Sequence, residues 1–409
     1  MFALPDRDAG IAMSEQLKVS IATIARFHSF AMARQLARKG ALAAIYTGLA
    51  RRFVRDEGID PACIRTFPWI QTPVEAGQRL GLIRPLQARR IAPFAHRALD
   101  RHVARDLPAC HAYIALAGVG LESGRAARAR GIAYLCDRSS AHIVEQDRLL
   151  RAEHAKWDVP FAPVDPRTIE RELGEYEQAD AILVPSSIVE RSFLDRGISQ
   201  DRLYRVPLGV ELDRFGRSAP QDPDFCVLFV GQPGLRKGFP YLLQAFARAA
   251  IPGARLVVVG ETQPETDSLL RRFPVAGLEM VGPLGRADVV ERMSRASVLV
   301  LPSLEDGFGM VQMEAMACGC PVITSANAGC ADFLRDGEDG LIVPAGDADA
   351  LAASLLRLYE DAPLRAAIAE AALRSVRNIG GWNRYGDALG DALIDVVKKS
   401  GREVSVLPG

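Results

Sequence analysis

The sequence predicts an α/β chain of two doubly wound domains, each a parallel sheet flanked by helices, and three observations carry that prediction. Short runs rich in Val, Ile and Leu alternate with stretches of helical period, the pattern of repeated β-α-β units. The chain has 409 residues, too many for one ordinary core at about 150 residues per domain. Ser218 to Pro223 puts two prolines in six residues between two such series and reads as a linker.

Composition narrows the function classes. Hydrophobic residues make up 49% and charged residues 24%, which suits a globular chain able to bury two cores. With 50 basic and 50 acidic residues the formal net charge is zero, so a chain-wide nucleic-acid-binding role is excluded. The seven cysteines are odd in number and scattered, which predicts reduced thiols in a cytoplasmic protein. Cys318 and Cys320 have no second pair nearby, so they read as small buried hydrophobes rather than a zinc site. No run reaches the ~18 apolar residues of a membrane span. Residues 1–15 carry early acids and no apolar core, unlike a signal peptide, so 1–17 reads as a flexible arm.

Taken in order, the first domain spans 18–217. Strand, helix and strand are predicted at 19–25, Ser29–Lys39 and 41–48, with Gly40 capping the helix. The loop Ala25 to Ser29 lies at the carboxyl end of the first strand, where such sheets bind ligands, and puts Arg26 and His28 at the cleft; His28 reads equally well as a helix cap. Residues 77–107 read as basic helix interrupted at Pro85 and Pro93. Arg84, Arg89, Arg90, Arg97, Arg101 and Arg105 alternate there with apolar residues, giving either a solvated face or a surface that docks on anionic lipid. Ala112–Leu116 and 132–136 are strands around a helix that ends at Arg130. Gly118, Gly120 and Gly124 follow the first of these, and Asp137 ends the second, which superficially matches a dinucleotide fingerprint and gives a rival reading as an NAD-dependent enzyme. A helix from Arg167, a strand Ala181–Val184 and a helix 187–196 complete the domain.

The second domain spans 225–380. It opens with strand Phe225–Val230, loop Gly231-Gln-Pro-Gly-Leu-Arg-Lys-Gly238 and helix Tyr241–Ala250, and continues with strands at 255–260 and 279–282. Its centre is Ser297 to Thr324. Val298–Leu301 is a strand, Ser303 to Gly309 a loop, Met310 to Ala317 a helix closed by Gly319 and Pro321, and Val322–Thr324 the next strand. The first amides of that helix lack partners and carry partial positive charge, so an anion fits there. Gly307 and Gly309 let backbone approach a ligand. Glu314 leans back toward the loop, so it and Asp306 bracket one spot, an arrangement suited to sugar hydroxyls beside a phosphate. Two helices broken near Pro363 occupy 347–376. Residues 381–399 form a last helix with Trp382, Tyr385, Leu389 and Leu393 on one face, and 400–409 a loose tail.

The run Asp306-Gly-Phe-Gly-Met-Val-Gln-Met-Glu314, followed by Ala-Met-Ala-Cys-Gly-Cys-Pro-Val, resembles the Glu-x7-Glu signature of the family 4 glycosyltransferases, with Asp306 at the first Glu. Two further segments resemble that family. One is Tyr204 to Phe215, similar to the segment by which it leaves its first domain. The other is the 231–238 loop, similar to its Gly-Arg-(x)n-Lys-Gly loop, with Gln232 at the Arg. The resemblance covers most of 18–395 and is strongest from 225 to 345.

It implies the GT-B fold of two Rossmann-like domains, with the terminal helix crossing back to the first domain. It implies retaining transfer of a sugar from a UDP- or GDP-sugar to a hydroxyl on a glycan or lipid-linked acceptor, without metal or other cofactor, in polysaccharide or glycolipid assembly. Lys237 and Arg236 then hold the donor diphosphate, and Asp306 contacts the transferred sugar, with Glu305 beside it as a substitute. Glu314 contacts the ribose, and Gly231, Gln232, Gly307, Phe308, Gly309, Met310 and Val311 line the donor. Pro283 and Leu284 border the base. His142, or Asp137 in its place, and His28 stand on the acceptor side. A cytoplasmic enzyme is implied, touching a membrane face through 84–105 if at all. A nucleotide-sugar-binding protein with impaired transfer and a GT-B epimerase remain as alternatives.

Overall fold

The computed structural model describes residues 17–401, and every count below is of those. The predicted arm before residue 17 and the tail from 402 onward lie outside the described residues. The first domain runs β1 (Val19–Thr23), α1 (His28–Arg38), β2 (Leu42–Thr47), β3 (Ile64–Thr66), α2 (Gln71–Arg79), α3 (Pro85–Asp106), β4 (Ala112–Leu116), α4 (Leu121–Ala129), β5 (Ala133–Asp137), α5 (Ile143–Trp157), α6 (Pro166–Gln178), β6 (Ala181–Val184), α7 (Ser187–Leu194) and β7 (Leu203–Arg205). The second runs β8 (Cys226–Val230), α8 (Phe239–Ala249), β9 (Arg255–Val259), α9 (Thr266–Arg272), β10 (Leu278–Gly282), α10 (Arg286–Arg295), β11 (Val298–Leu301), α11 (Met310–Ala317), β12 (Val322–Ser325), β13 (Leu341–Val343), α12 (Ala348–Glu360) and α13 (Ala362–Ile379), before α14 (Trp382–Lys399).

Both sheets are parallel, ordered β3-β2-β1-β4-β5-β6-β7 and β10-β9-β8-β11-β12-β13. Helices cover both faces, which is why central strands such as Val19–Thr23 and Val298–Leu301 are buried along their whole length. Strand order reverses between β1 and β4 in one sheet and between β8 and β11 in the other. Ligands of such sheets sit at these switch points, beyond the carboxyl ends of the strands. The two switch points face one another.

The chain crosses between the domains twice, side by side, and Val210 pairs with Gly381 in a short parallel bridge there. α14 then lies along α1. Lys39 bonds Asp387 at 2.6 Å, and a Cβ on Gly386 would fall 2.8 Å from the Gln35 Cβ. The predicted crossing back of the last helix is therefore observed.

One local expectation is corrected, and three helices went unforeseen. Pro85 starts α3 as predicted, but Pro93 sits inside an unbroken helix. Its ring forfeits one backbone hydrogen bond, and burial of Ala88, Ala95, Leu99 and Val103 on the other face outweighs that loss. The helices α5, α9 and α10 were not legible; α5 buries only Ile143, Asp147 and Trp157, too thin a stripe to give a helical period.

Candidate active site

The facing switch points enclose a cleft of about 960 Å³. Its second-domain wall is the β8–α8 loop, with Gly231, Arg236 and Lys237, and the start of α11, with Phe308, Gly309, Met310, Val311 and Glu314. Gly309 is the N-cap of α11, with φ +78° and no side-chain cap, so the first amides of α11 are left to the cleft. Gly307 fits because it has no side chain. A Cβ there would lie 1.7 Å from the Ser139 carbonyl oxygen of the first domain, and the Gly307 carbonyl accepts a 2.6 Å bond from Ser186 Oγ.

Charge is concentrated at the meeting of these loops. Lys237 Nζ donates to Asp306 Oδ2 at 2.5 Å. Burial draws the Lys237 pKa below its ordinary value, and Asp306 pulls it partly back. Arg236 donates to the carbonyl of Glu305 at 3.1 Å and to its carboxylate at 3.3 Å. The Glu305 side chain points away into the domain contact, accepting from Ala141 N–H and Gln146 Nε2, both at 2.9 Å. It is therefore not the substitute for Asp306 that its place in the sequence suggests. Burial pushes the Glu314 carboxyl up to about 7, with Arg286 opposing and Glu211 adding to the rise.

The first domain supplies the opposite wall. His28 Nε2 lies 2.7 Å from Asp137 Oδ2, so two separate acceptor-side candidates form one pair. Burial alone would lower the His28 pKa; the Asp137 carboxylate outweighs it, and the net shift is upward. Beside them Arg34 bonds Glu57 at 2.8 Å and Glu211 at 3.3 Å, and Arg286 of the second domain bonds Glu211 at 3.1 Å. Arg34, Glu57, Glu211 and Arg286 line the cleft; Glu211 falls within the Tyr204 to Phe215 segment but is not singled out by it, and the other three carry no motif. Position could have pointed to Glu211, beside the domain crossing, and to Arg286, after β10; nothing in the sequence marks Arg34 or Glu57.

Several predicted residues lie elsewhere. His142 is turned from the cleft, capping α5 through Nδ1 to Val144 N–H and packing on the rings of Tyr176 and Phe193. Burial, then Arg196 and Arg138, lowers its pKa to about 4. Gln232 faces a side groove on the other side of its loop. Pro283 and Leu284 follow the edge strand β10; Pro283 is exposed and Leu284 lines a separate hollow beside the linker, while Arg286, two residues on, lines the cleft. The dinucleotide-like glycines take no external anion. The N–H groups of Gly118 and Gly120 donate to the buried Glu175 carboxylate at 2.6 and 2.9 Å, and Asp100 accepts from Glu122 and Ser123 N–H at 2.7 and 2.8 Å. Arg171 bridges both acids. The protein fills that anion site itself, which removes the ground for the NAD-dependent reading.

Among the described residues no group of three or more His, Cys, Asp or Glu is placed to hold a metal ion, and no helix is long and apolar enough to cross a membrane.

Residues 212–375 match the family described as Glycosyl transferases group 1. A D-inositol 3-phosphate glycosyltransferase of Xylanimonas cellulosilytica is 30% identical over 286 residues, which span 60% of this chain and 68% of that protein. Among solved structures, sucrose-phosphate synthase from Thermosynechococcus elongatus has a TM-score of 0.70 at 22% identity, covering 94% of this chain and 100% of its own. HepE of Anabaena in complex with UDP-glucose has a TM-score of 0.68 at 15% identity, covering 93% and 100%. At these identities the two structures share the fold, two Rossmann-like domains in the GT-B arrangement.

Proposed function

The chain belongs to the group 1 glycosyl transferases and is a glycosyltransferase, and on that premise we propose that it moves a sugar from a nucleoside diphosphate sugar to an acceptor hydroxyl with retention of anomeric configuration. The observation that carries this reading is the convergence of Lys237, Arg236, Asp306, Glu314 and the start of α11 on one cleft between the domains. In the reading, the diphosphate lies against the α11 amides with Lys237 and Arg236 on its oxygens, and Glu314 takes the ribose hydroxyls. Lys237 exchanges Asp306 for phosphate, which frees the Asp306 carboxylate for the sugar. As the anomeric bond breaks, negative charge grows on the leaving diphosphate, where fixed cations and amides act most strongly. With that charge met by side chains and backbone, turnover is proposed to need no metal, so chelator should leave the rate unchanged.

The acceptor is proposed to enter from the first-domain side, past His28, as a glycan or lipid-linked hydroxyl in polysaccharide or glycolipid assembly. The setting proposed is cytoplasmic, with the basic face of α3 against a membrane.

The test is release of nucleoside diphosphate from a panel of UDP- and GDP-sugars, with the anomeric configuration of the product read by NMR. Lys237→Ala is expected to lower kcat on the order of 10²-fold, the cost of one preorganised charge. Glu314→Ala is expected to weaken nucleotide binding about 10-fold or more, as for a lost hydrogen bond to a charged group. Wild-type behaviour from both variants would overturn the reading.

A further inference from the structure

The first-domain wall of the cleft carries an aromatic ring that neither the helix beside it nor a core puts to use. Phe27 is the N-cap of α1, in extended backbone conformation, and makes no side-chain bond to the first-turn amides. Ser, Thr, Asp or Asn at that place would satisfy one of them and stabilise the helix. The ring lines the cleft, is 51% exposed and, among the described residues, belongs to neither hydrophobic core. Its two neighbours are tied down. Arg26 bonds Glu57 at 2.7 Å and the Phe53 carbonyl, and His28 bonds Asp137 at 2.7 Å. The ring is thus presented by an anchored loop, which lowers the ordering cost of binding against it.

The groups around the ring are polar and balanced in charge. Arg26 and Arg34 come from the β1–α1 loop and α1, Asp56 and Glu57 from the connection between β2 and β3, and all four line the cleft. Glu57 accepts from both arginines, at 2.7 and 2.8 Å. A guanidinium has more N–H donors than one carboxylate takes up, so both arginines keep donors to offer, and the exposed Asp56 offers acceptors. Such a lining suits a ligand with hydroxyls at its edge, each both donor and acceptor, and C–H groups on its face. A pyranose ring has both. A hydrocarbon chain would strip water from these charges and replace it with nothing, and a phosphate would meet two carboxylates along with the arginines. The donor diphosphate and ribose, in the proposed reading, lie on the opposite wall.

We infer that Phe27 is the platform on which a sugar ring of the acceptor stacks, with its hydroxyls at Arg26, Arg34 and Asp56. The inference rests on the transferase reading and narrows its acceptor to a pyranoside.

The test is saturation-transfer NMR of the full chain with the methyl α-pyranosides of glucose, galactose, mannose and N-acetylglucosamine, and with glycerol as a hydroxyl-bearing control without a ring. At least one pyranoside is expected to bind, with saturation strongest on the C–H groups of one ring face, and glycerol is not. Phe27→Tyr is expected to keep that binding and Phe27→Ser to weaken it about 10-fold or more, the contribution of one stacked ring. Phe27→Ser also supplies the missing helix cap, so its melting temperature is expected to stay level or rise. A fall in melting temperature would instead make Phe27 a packing residue and overturn the platform. Absence of binding by every pyranoside, or equal binding by wild type and Phe27→Ser, also overturns it and leaves the transferase reading standing. A Phe27→Ser variant that loses UDP or GDP affinity puts the nucleotide base on the ring, which overturns the acceptor assignment as well. Pyranoside binding that depends on Phe27, in a protein that releases no nucleoside diphosphate from any UDP- or GDP-sugar, overturns the transferase reading and leaves a sugar-binding site.

Discussion

Glu314 is the residue whose behaviour departs most from what its type suggests. Its carboxyl is pushed up to about 7 by burial, against an ordinary value of 4.5. The folded state therefore takes up a proton more readily than the unfolded chain between those two values. Glu314 then costs no stability below about pH 4.5, and the protein loses stability as pH rises from there through 7. A shift of this size has a ceiling of about 3 kcal/mol, and because the side chain reaches cleft water roughly 1–2 kcal/mol is expected. Glu314→Gln should raise the melting temperature by a few degrees at pH 8 and leave it unchanged at pH 4.5, as differential scanning calorimetry would read. A gain of equal size at both pH values would place the effect in packing rather than ionisation. The type and spacing of this residue were legible in the sequence because they depend on helix geometry alone. Its protonation was not, because Arg286 and Glu211, the charges that act on it, come from distant parts of the chain.

Among the elements, the loop between β11 and α11 carries both the site and the domain contact. Gly307 meets the Ser139 carbonyl, Glu305 accepts from Ala141 and Gln146, and Ser186 bonds the Gly307 carbonyl, all within one short segment. A Cβ at position 307 would strike backbone at 1.7 Å, and backbone cannot rotate away as a side chain does. Gly307→Ala should therefore part the domains at this loop, raising the radius of gyration in small-angle scattering and lowering turnover by about 10-fold or more, as misplacement of reacting groups does. Gly285→Ala, where the nearest atom is a side-chain oxygen at 3.4 Å, is the control expected to change neither. The strand-loop-helix-strand of this region was readable in full because its signals are local: a β-branched run, glycines, a proline. The same locality explains why the side-chain directions of His142, Pro283 and Leu284 were not legible. Each follows a strand as a ligand-binding residue should, yet rotation of the α5 cap, or position on the outermost strand, decides where the side chain points.

At the scale of the whole molecule, the two-domain plan follows from repetition of one unit, while the contact between domains had no signature. α5 makes much of that contact, with Lys156 bonding Tyr241 at 2.8 Å and the Trp157 carbonyl accepting from Arg272 at 2.7 Å. Its pattern is weak because only Ile143, Asp147 and Trp157 are buried along it, too few to mark a helical period. Among the described residues, the outer face of α3 is an exposed basic and apolar surface. α3 turns Ala95, Leu99 and Val103 inward and leaves Phe94 outward; Leu80 and Leu82, in the turn before it, and Arg84, Arg89 and Arg90 are also exposed. Arg97 and Arg101 are engaged with Glu122, which leaves the N-terminal half of the helix as the basic, apolar-tipped part. Such a face gains from an anionic lipid surface through both charge and apolar insertion. Sedimentation with vesicles containing anionic lipid should bind the protein, and neutral vesicles should not. Replacing Arg84 and Arg90 by Gln should weaken binding roughly 30-fold, at about 1 kcal/mol for each cation near the surface. Raised salt should weaken the wild type more than this variant, because fewer of the variant's contacts are ionic. Binding that ignores lipid charge, or that survives both substitutions, would show α3 to be a solvated face.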